Sequence, residues 1–299
     1  MKAYLITDDR SATTSLASEL IRLGVDTETW ALSDRSYALD NPPPDGVFVN
    51  RAAPSGTLER SERERLRDLV AWLEGHRQMG TRVINGSGVV ALESGRVLQH
   101  TALRAAGIPV PRTVAAVADA EAVRRAAEEI GGPVVVMSAR PGTAAVRFEN
   151  ARALERGLPR GEILLDGGTV LVREALGPAE VTRLEFVGGT LRRAWRWRAE
   201  EGAGEIGAPA VAEELNVADV PDDPLIDRYL VFLHTHGFGI GAIEFATTAQ
   251  GRRLTLGVSG GAEPWRWSGL EPAVAALVAF EARRAGVAPR VPSRVRAAV

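Results

Sequence analysis

The alternation of apolar and polar positions changes texture along the chain. Through the first 90 residues, short apolar runs alternate with amphipathic stretches. Lys2–Thr7 predicts a strand, and a helix follows around Thr13–Leu23, stopped by Gly24, which tolerates the left-handed conformation that ends helices. Asp26–Leu32 and Gly46–Asn50 predict further strands, separated by a loop carrying Pro42, Pro43 and Pro44. A strongly charged helix is predicted near Leu58–Met79. There Glu59/Arg63 stand at i,i+4, and Glu62/Arg65 and Glu64/Arg67 at i,i+3, spacings at which side chains meet on a helix surface. Its charge is read as a solvated face. Thr81–Asn85 predicts the next strand, and strands separated by helices imply βαβ units and a largely parallel sheet.

From Glu93 the pattern becomes α+β. A helix to Ala106 ends at Gly107, and Ile108-Pro109-Val110-Pro111 must run extended because proline cannot continue a helix. Thr113–Val117 predicts a strand, Asp119–Ile130 a helix with Asp119 as N-cap, and Pro133–Ser138 and Thr143–Phe148 two more strands. After about residue 168 strands dominate: Thr169–Ala175, Thr182–Val187, a Gly188-Gly189 turn, then Thr190–Arg198. A helix near Pro224–His236, strands at Ile240–Thr247 and Arg253–Ser259, and a helix at Glu271–Ala285 follow. The last residues, with Arg290, Arg294 and Arg296, predict a frayed basic tail. The expected partition is an N-terminal α/β domain over 1–90, a small α+β lid block over 91–168, and a mixed α/β half over 169–299. No internal repeat of useful length is visible.

Composition narrows the function classes. The 299 residues are 45% hydrophobic and 25% charged, ordinary for a globular chain with a real core, and the net charge of −2 sets up no field for nucleic acid or an anionic membrane. Without cysteine there is no disulfide, thiolate metal site or cysteine nucleophile, which fits a reducing cytoplasm, the expected location. The apolar run after Lys2 is broken at Asp8 and Asp9, so no signal peptide is expected. The longest uncharged stretch, Tyr229–Ile243, has 15 residues including two His and three Gly, too short and polar to span a bilayer. Lys2 is the sole lysine among 36 basic residues, so lysine chemistry has almost no candidates.

Several strings taken in order carry a resemblance: Val83-Ile84-Asn85, Leu103–Thr113 (LRAAGIPVPRT), Gly132–Met137 (GPVVVM), Leu171–Leu176 (LVREAL), Arg183–Thr190 (RLEFVGGT) and Gly241–Phe245 (GAIEF). Over about residues 2–285 the chain resembles the ATP-grasp superfamily, specifically its RimK-like branch of carboxylate–amine ligases. The resemblance implies ATP sandwiched between the lid block and the C-terminal sheet, with Mg²⁺ held by carboxylates and a carboxylate activated as acyl-phosphate for attack by an amine. Such chemistry needs cations on the phosphates and a Gly-rich flap whose backbone approaches them.

At the matching positions this chain departs from that pattern. The first phosphate lysine corresponds to Arg96, which keeps the charge but not the compact donor. The second corresponds to Met137, which removes an attraction worth roughly 4 kcal/mol gross at 4 Å and an effective dielectric near 20. The flap corresponds to Arg140–Val146, where only Gly142 survives and Pro141 lacks an NH. Arg140 is expected to face solvent, with replacement of the lost charge as its alternative role. Glu244 stands at the first metal carboxylate, but the later Glu-x-Asn corresponds to Gly257-Val258-Ser259. Glu263, read as an exposed loop acid, is the only nearby substitute considered. Glu174 follows Arg173 at the hinge that meets the nucleotide, where it could meet a ribose or an amine. Arg183 and Arg196 match basic positions facing phosphates or product, though a strand arginine is commonly a snorkelling surface residue. The substrate loop expected after Arg196 is replaced by Gly204–Ala212, which has no Asn.

Two Trp-Arg-Trp triplets, Trp195-Arg196-Trp197 and Trp265-Arg266-Trp267, each place two Trp on one strand face with Arg opposite. They are read as sheet packing against the C-terminal helix, with a peptide- or anion-binding surface, or a plug in the ATP space, as alternatives. His234 and His236 point about 200° apart on a helix, so zinc is not expected. The leading expectation is therefore a dismantled nucleotide and Mg²⁺ site in a non-catalytic binding or scaffolding protein. Its partner would be a peptide or a related active ligase, with homo-oligomerisation left open and neither nucleic acid nor membrane as partner. The alternative is an active ATP-dependent ligase with Arg96 and Arg140 on phosphates, Glu244 and Glu263 on Mg²⁺, and Arg183 on the acyl-phosphate. A metal-free nucleotide binder using Arg96 and Glu174 is the third possibility.

Overall fold

The computed structural model describes residues 2–8, 13–33, 36–52, 58–77, 80–140, 145–157, 168–199, 212–220, 223–260 and 269–285. Strands β1 (Lys2–Thr7), β2 (Asp26–Ala31), β3 (Val47–Asn50) and β4 (Arg82–Ile84) form the first sheet in the order β2-β1-β3-β4, and every pairing is parallel, as the alternating pattern predicts. Helix α1 (Thr14–Arg22) covers one face, and α2 (Arg60–Gly75), entered through a reciprocal Glu59–Glu62 capping box, covers the other with Leu66, Leu69, Val70 and Leu73.

The single helix expected from Glu93 to Ala106 is two: α3 (Ser87–Ser94) and α4 (Arg96–Ala105). Gly95 breaks them with extended φ/ψ of −142° and 101°. The Gly86-Ser87-Gly88 string hides the start of α3, because glycine and serine signal a turn more strongly than a helix.

The second sheet unit holds β5 (Thr113–Val117), α5 (Ala120–Ile130), β6 (Val134–Ser138), β7 (Val146–Phe148), α6 (Ala151–Gly157) and also β8 (Thr169–Glu174), which the expected partition assigned to the 169–299 half but which pairs here between β5 and β6. Asp119 caps α5 as expected, its side chain accepting from the Ala122 N–H at 2.9 Å. The four strands pair antiparallel in the order β5-β8-β6-β7. One face, with Val134, Val136, Val170 and Val172, packs on α5 and α6; the other presents Val135, Met137 and Leu171.

The third sheet is antiparallel, in the order β11-β10-β9-β12-β13. Its strands are β9 (Ala179–Val187), β10 (Thr190–Ala199), β11 (Glu213–Leu215), β12 (Ile240–Thr248) and β13 (Arg253–Ser259). Gly188 and Gly189, both at positive φ (60° and 75°), make the tight β9–β10 turn that the sequence announces. Helix α7 (Pro224–Thr235) packs Tyr229, Phe232 and Leu233 on one face of this sheet.

Helix α8 (Glu271–Ala285) has the bounds predicted, but it returns to the first sheet. Val274, Ala275, Val278, Ala279 and Ala282 join Leu5, Leu16, Leu20 and Val49 in one core. It therefore does not back Trp195 and Trp197, which pack with Val181, Ala246 and Leu256 instead.

Asn85 ties the first sheet to the third. At φ 58° and buried, it donates through Nδ2 to the Ile240 carbonyl (2.8 Å) and the Gly260 carbonyl (3.1 Å). Its Oδ1 accepts from the N–H groups of Gly239 (3.0 Å) and Ile240 (3.1 Å). Gly260 packs closely here: a Cβ there would lie 3.1 Å from Asn85 Nδ2, Glu93 Oε2 and Val89 Cγ1, so these neighbours would have to shift by a few tenths of an ångström. Among the described residues no helix is long and apolar enough to cross a membrane.

Candidate functional site

The third sheet has two faces with different chemistry, and strand register assigns each residue to one of them. Arg183 of β9 lies directly opposite Trp195 of β10 and Glu244 of β12, so these three share a face, with Glu185 two residues along. Arg196 lies opposite Thr182 on the other face.

On the first face Arg183 Nε donates to Glu185 Oε1 at 2.9 Å and its Nη1 to Glu244 Oε1 at 2.8 Å. All three side chains are almost fully buried (3%, 4% and 2% exposed), so Arg183 is no snorkelling surface residue. Burial alone would pull the guanidinium pKa down, but the facing Glu244 and Glu185 carboxylates outweigh it and hold it above its ordinary value. Trp195 Nε1 donates to Glu185 Oε2 at 3.3 Å, and Arg193 stacks on the Trp195 ring at 4.4 Å.

Glu244 stands where the resemblance implies a Mg²⁺ ligand. Glu244 spends a carboxylate oxygen on Arg183, and its register partner on β13 is Gly257, which offers no side-chain ligand. Among the described residues no group of three His, Asp or Glu stands close enough to hold a metal ion. Glu263 lies outside the described residues, as do Pro141–Ala144 of the flap, Gly204–Val211, the second tryptophan triplet and the basic tail.

Beside this face, a cavity of about 60 Å³ lies between the lid sheet, α4 and β13. Arg96 and Met137, the two positions matching the phosphate lysines, both line it, with Leu171, Arg173 and Leu256. Met137 is 4% exposed and packs with Val135 and Leu171. Arg96 Nη1 donates to the Ser138 carbonyl at 3.0 Å, fastening α4 to the end of β6. Small-molecule pockets span about 300–1,000 Å³, so the space left among the described residues is small by comparison. Glu174 is drawn off to the hinge, where Oε1 accepts from the Arg112 N–H (2.9 Å) and from Arg252 Nη2 (3.4 Å). Arg140 is exposed and its N–H donates to Ser138 Oγ at 3.1 Å.

The opposite face carries a second cavity, of about 580 Å³, between β9, β10, β11, β12 and α7. Arg196 belongs here, held by Glu213 (2.9 Å) and Glu180 (3.8 Å), and is thus separated by the sheet from Arg183, with which the sequence grouped it. Glu214, Asp219 and Asp223 add acidity, and Arg253 is ion-paired to Asp223. Leu184, Phe245, Leu225, Ile226 and Tyr229 make an apolar floor. Burial pushes the Tyr229 hydroxyl up to about 12, against the opposing pull of its hydrogen bond to Thr255.

Sequence reasoning missed Glu185 and this acidic cavity. The Arg183-x-Glu185 spacing on one strand was a usable signal, as was the density of acids over Glu213–Asp227.

With the geometry in hand, the likenesses to solved structures fall into place. No protein-family model matches the sequence, and a search of curated proteins returned no match. The fold matches a RimK-domain ATP-grasp protein from Sphaerobacter thermophilus with a TM-score of 0.68 at 23% identity, covering 95% of this chain and 100% of that one. It also matches the ATP-grasp ligase PsnB complexed with a phosphomimetic variant of its minimal precursor, Mg and ADP (TM-score 0.67, 18% identity, 94% and 98% covered). A third match is the macrocyclase MdnC bound with precursor peptide MdnA from Microcystis aeruginosa (TM-score 0.65, 15% identity, 94% and 100% covered). The chain has the ATP-grasp fold.

Proposed function

We propose that this chain is a non-catalytic member of the ATP-grasp superfamily, from its RimK-like branch, that acts as a peptide-binding or scaffolding partner. The observation that carries this reading is the Arg183–Glu185–Glu244 ion triad. It engages one oxygen of the carboxylate on which Mg²⁺ would depend, opposite Gly257 where a second ligand is needed. The narrow cavity behind Met137 supports the same reading from the nucleotide side. Met137 is informative because a genome that favours arginine over lysine would be expected to place arginine there.

Binding is assigned to the larger cavity on the far face of the third sheet. Its acidic walls and apolar floor suit a peptide carrying arginine beside leucine-like side chains. PsnB and MdnC were solved with precursor peptides, which makes a peptide ligand the natural class for a chain of this fold.

The test uses the full chain and a fluorescent peptide of alternating arginine and leucine, followed by anisotropy, with ATP and Mg²⁺ added in a parallel sample. The reading expects saturable binding that ATP does not change, and no ADP release above the protein-free control. ADP release that depends on Glu244 would replace this reading with the ligase. Absence of peptide binding would remove the peptide assignment.

A further inference from the structure

The far-face cavity carries an excess of negative charge. The carboxylates of Glu180, Glu213, Glu214, Asp219 and Asp223 line it, against the guanidinium groups of Arg196 and Arg253. Glu213 and Glu180 share Arg196, Asp223 takes Arg253, and Glu214 pairs with Arg193 from outside the cavity (3.0 Å). Asp219 ends the short 3₁₀ turn Val217–Asp219, which Asn216 caps, and forms no ion pair among the described residues. Below these acids lies the apolar floor of Leu184, Phe245 and Ile226.

A segment of matching chemistry belongs to the same chain. Residues 286–299 follow α8, lie outside the described residues and read GVAPRVPSRVRAAV. They hold Arg290, Arg294 and Arg296 and no acid, with Val291 and Val295 interleaved.

We propose that the Arg290–Arg296 segment occupies the far-face cavity of its own chain, with its guanidinium groups on Asp219, Glu213 and Glu214 and its valines on the apolar floor, so that a peptide ligand must displace it. This inference rests on the binding role given to that cavity above and adds its regulation. Charge is the first argument: arginine and carboxylate form charge-assisted pairs, and complementary potentials select the partner. Tethering is the second, because a linked segment meets its site at an effective concentration of about millimolar, so weak docking is already populated. Length is the third. Leu277 of α8 sits against the β9–β10 turn, where a Cβ on Gly188 would lie 3.6 Å from its Cδ1. Leu184 is four residues along β9 from that turn, about 13 Å, and α8 runs about 12 Å beyond Leu277 to Ala285. Extended at about 3.3 Å per residue, residues 286–299 span about 46 Å, which exceeds that separation and leaves length to round the sheet edge.

The experiment uses the full chain, which has no cysteine of its own, with nitroxide labels on a Ser293→Cys, Ala218→Cys variant. Ala218 is exposed and adjacent to Asp219. Pulsed electron paramagnetic resonance then reads the distance between tail and cavity. The inference expects a narrow distribution of short distances that dilution with unlabelled protein does not change. Arg290→Gln, Arg294→Gln and Arg296→Gln together should broaden and lengthen it. In anisotropy the same three substitutions should tighten the arginine–leucine peptide about tenfold, since the tethered competitor is gone. A broad distribution that these substitutions leave as it was, or loss of the short distance on dilution, overturns the inference. Peptide binding of equal affinity in the two proteins also overturns it and leaves the peptide assignment standing. No peptide binding by the glutamine variant removes the peptide assignment itself, and the regulatory role with it.

Discussion

The two faces of the third sheet are built from the same strands and have opposite characters. On the cleft face, Arg183 is sealed between Glu185 and Glu244, and Trp195 and Trp197 pack beside it. On the far face, the same strands and α7 leave about 580 Å³ of acidic and apolar space. The difference teaches that charge and binding capacity are separate properties. The cleft face concentrates buried charge paired within the sheet, whereas the ion pairs of the far face are partly exposed, hydrated and able to exchange partners.

Removing one charge from each face should break the comparison most visibly. Arg183→Met leaves two buried carboxylates without their cation and should cost about 3–5 kcal/mol of unfolding free energy in urea titrations. Arg196→Met, whose side chain is 38% exposed, should leave the urea midpoint almost unchanged. Equal losses at the two sites would mean that the faces do not differ as described.

A smaller effect is expected at Met137→Lys. Restoring the cation sends it into the Val135–Leu171 cluster, which should cost about 2 kcal/mol without conferring Mg²⁺-dependent ATP binding. A gain of Mg²⁺-dependent ATP binding by this single change would show that the metal site is intact. On the far face, Glu213→Gln with Glu214→Gln should weaken the arginine–leucine peptide about tenfold in anisotropy while the urea midpoint stays put.

The smallest signal is spectroscopic. Of the 3 tyrosines, Tyr229 should ionise near pH 12 in an alkaline absorbance titration, and Tyr229→Phe should remove that late step. Because its folded pKa is raised above the ordinary 10.0, the associated stabilisation is complete below pH 10 and is lost as pH rises toward 12.

Much of the fold was legible because periodicity and turn residues act locally. The parallel first sheet, the Asp119 cap, the Gly188-Gly189 turn and the bounds of α8 were all predicted. Partner choice was less legible, since nothing local shows that α8 leaves the third sheet to cover the first. Strand β11 has only 3 residues and exists through its pairing with β10, so no pattern announced it. At the site, the sequence identified Arg96 and Met137, which share one cavity, and Arg183 and Glu244, which share one ion triad. It placed Arg196 with the wrong face, because alternation along a strand separates adjacent residues only once the register is known. His100 and Arg173, 73 residues apart in sequence, line one cavity only because α4 and β8 converge, which neither element's local pattern shows.

The most direct test of the central claim is a calorimetric titration of the purified chain with ATP, with and without Mg²⁺. The proposed non-catalytic reading, resting on the buried Arg183–Glu185–Glu244 ion triad and the narrow cleft, predicts no binding at millimolar ATP in either buffer. Micromolar binding that requires Mg²⁺ would contradict the account and restore the ligase reading.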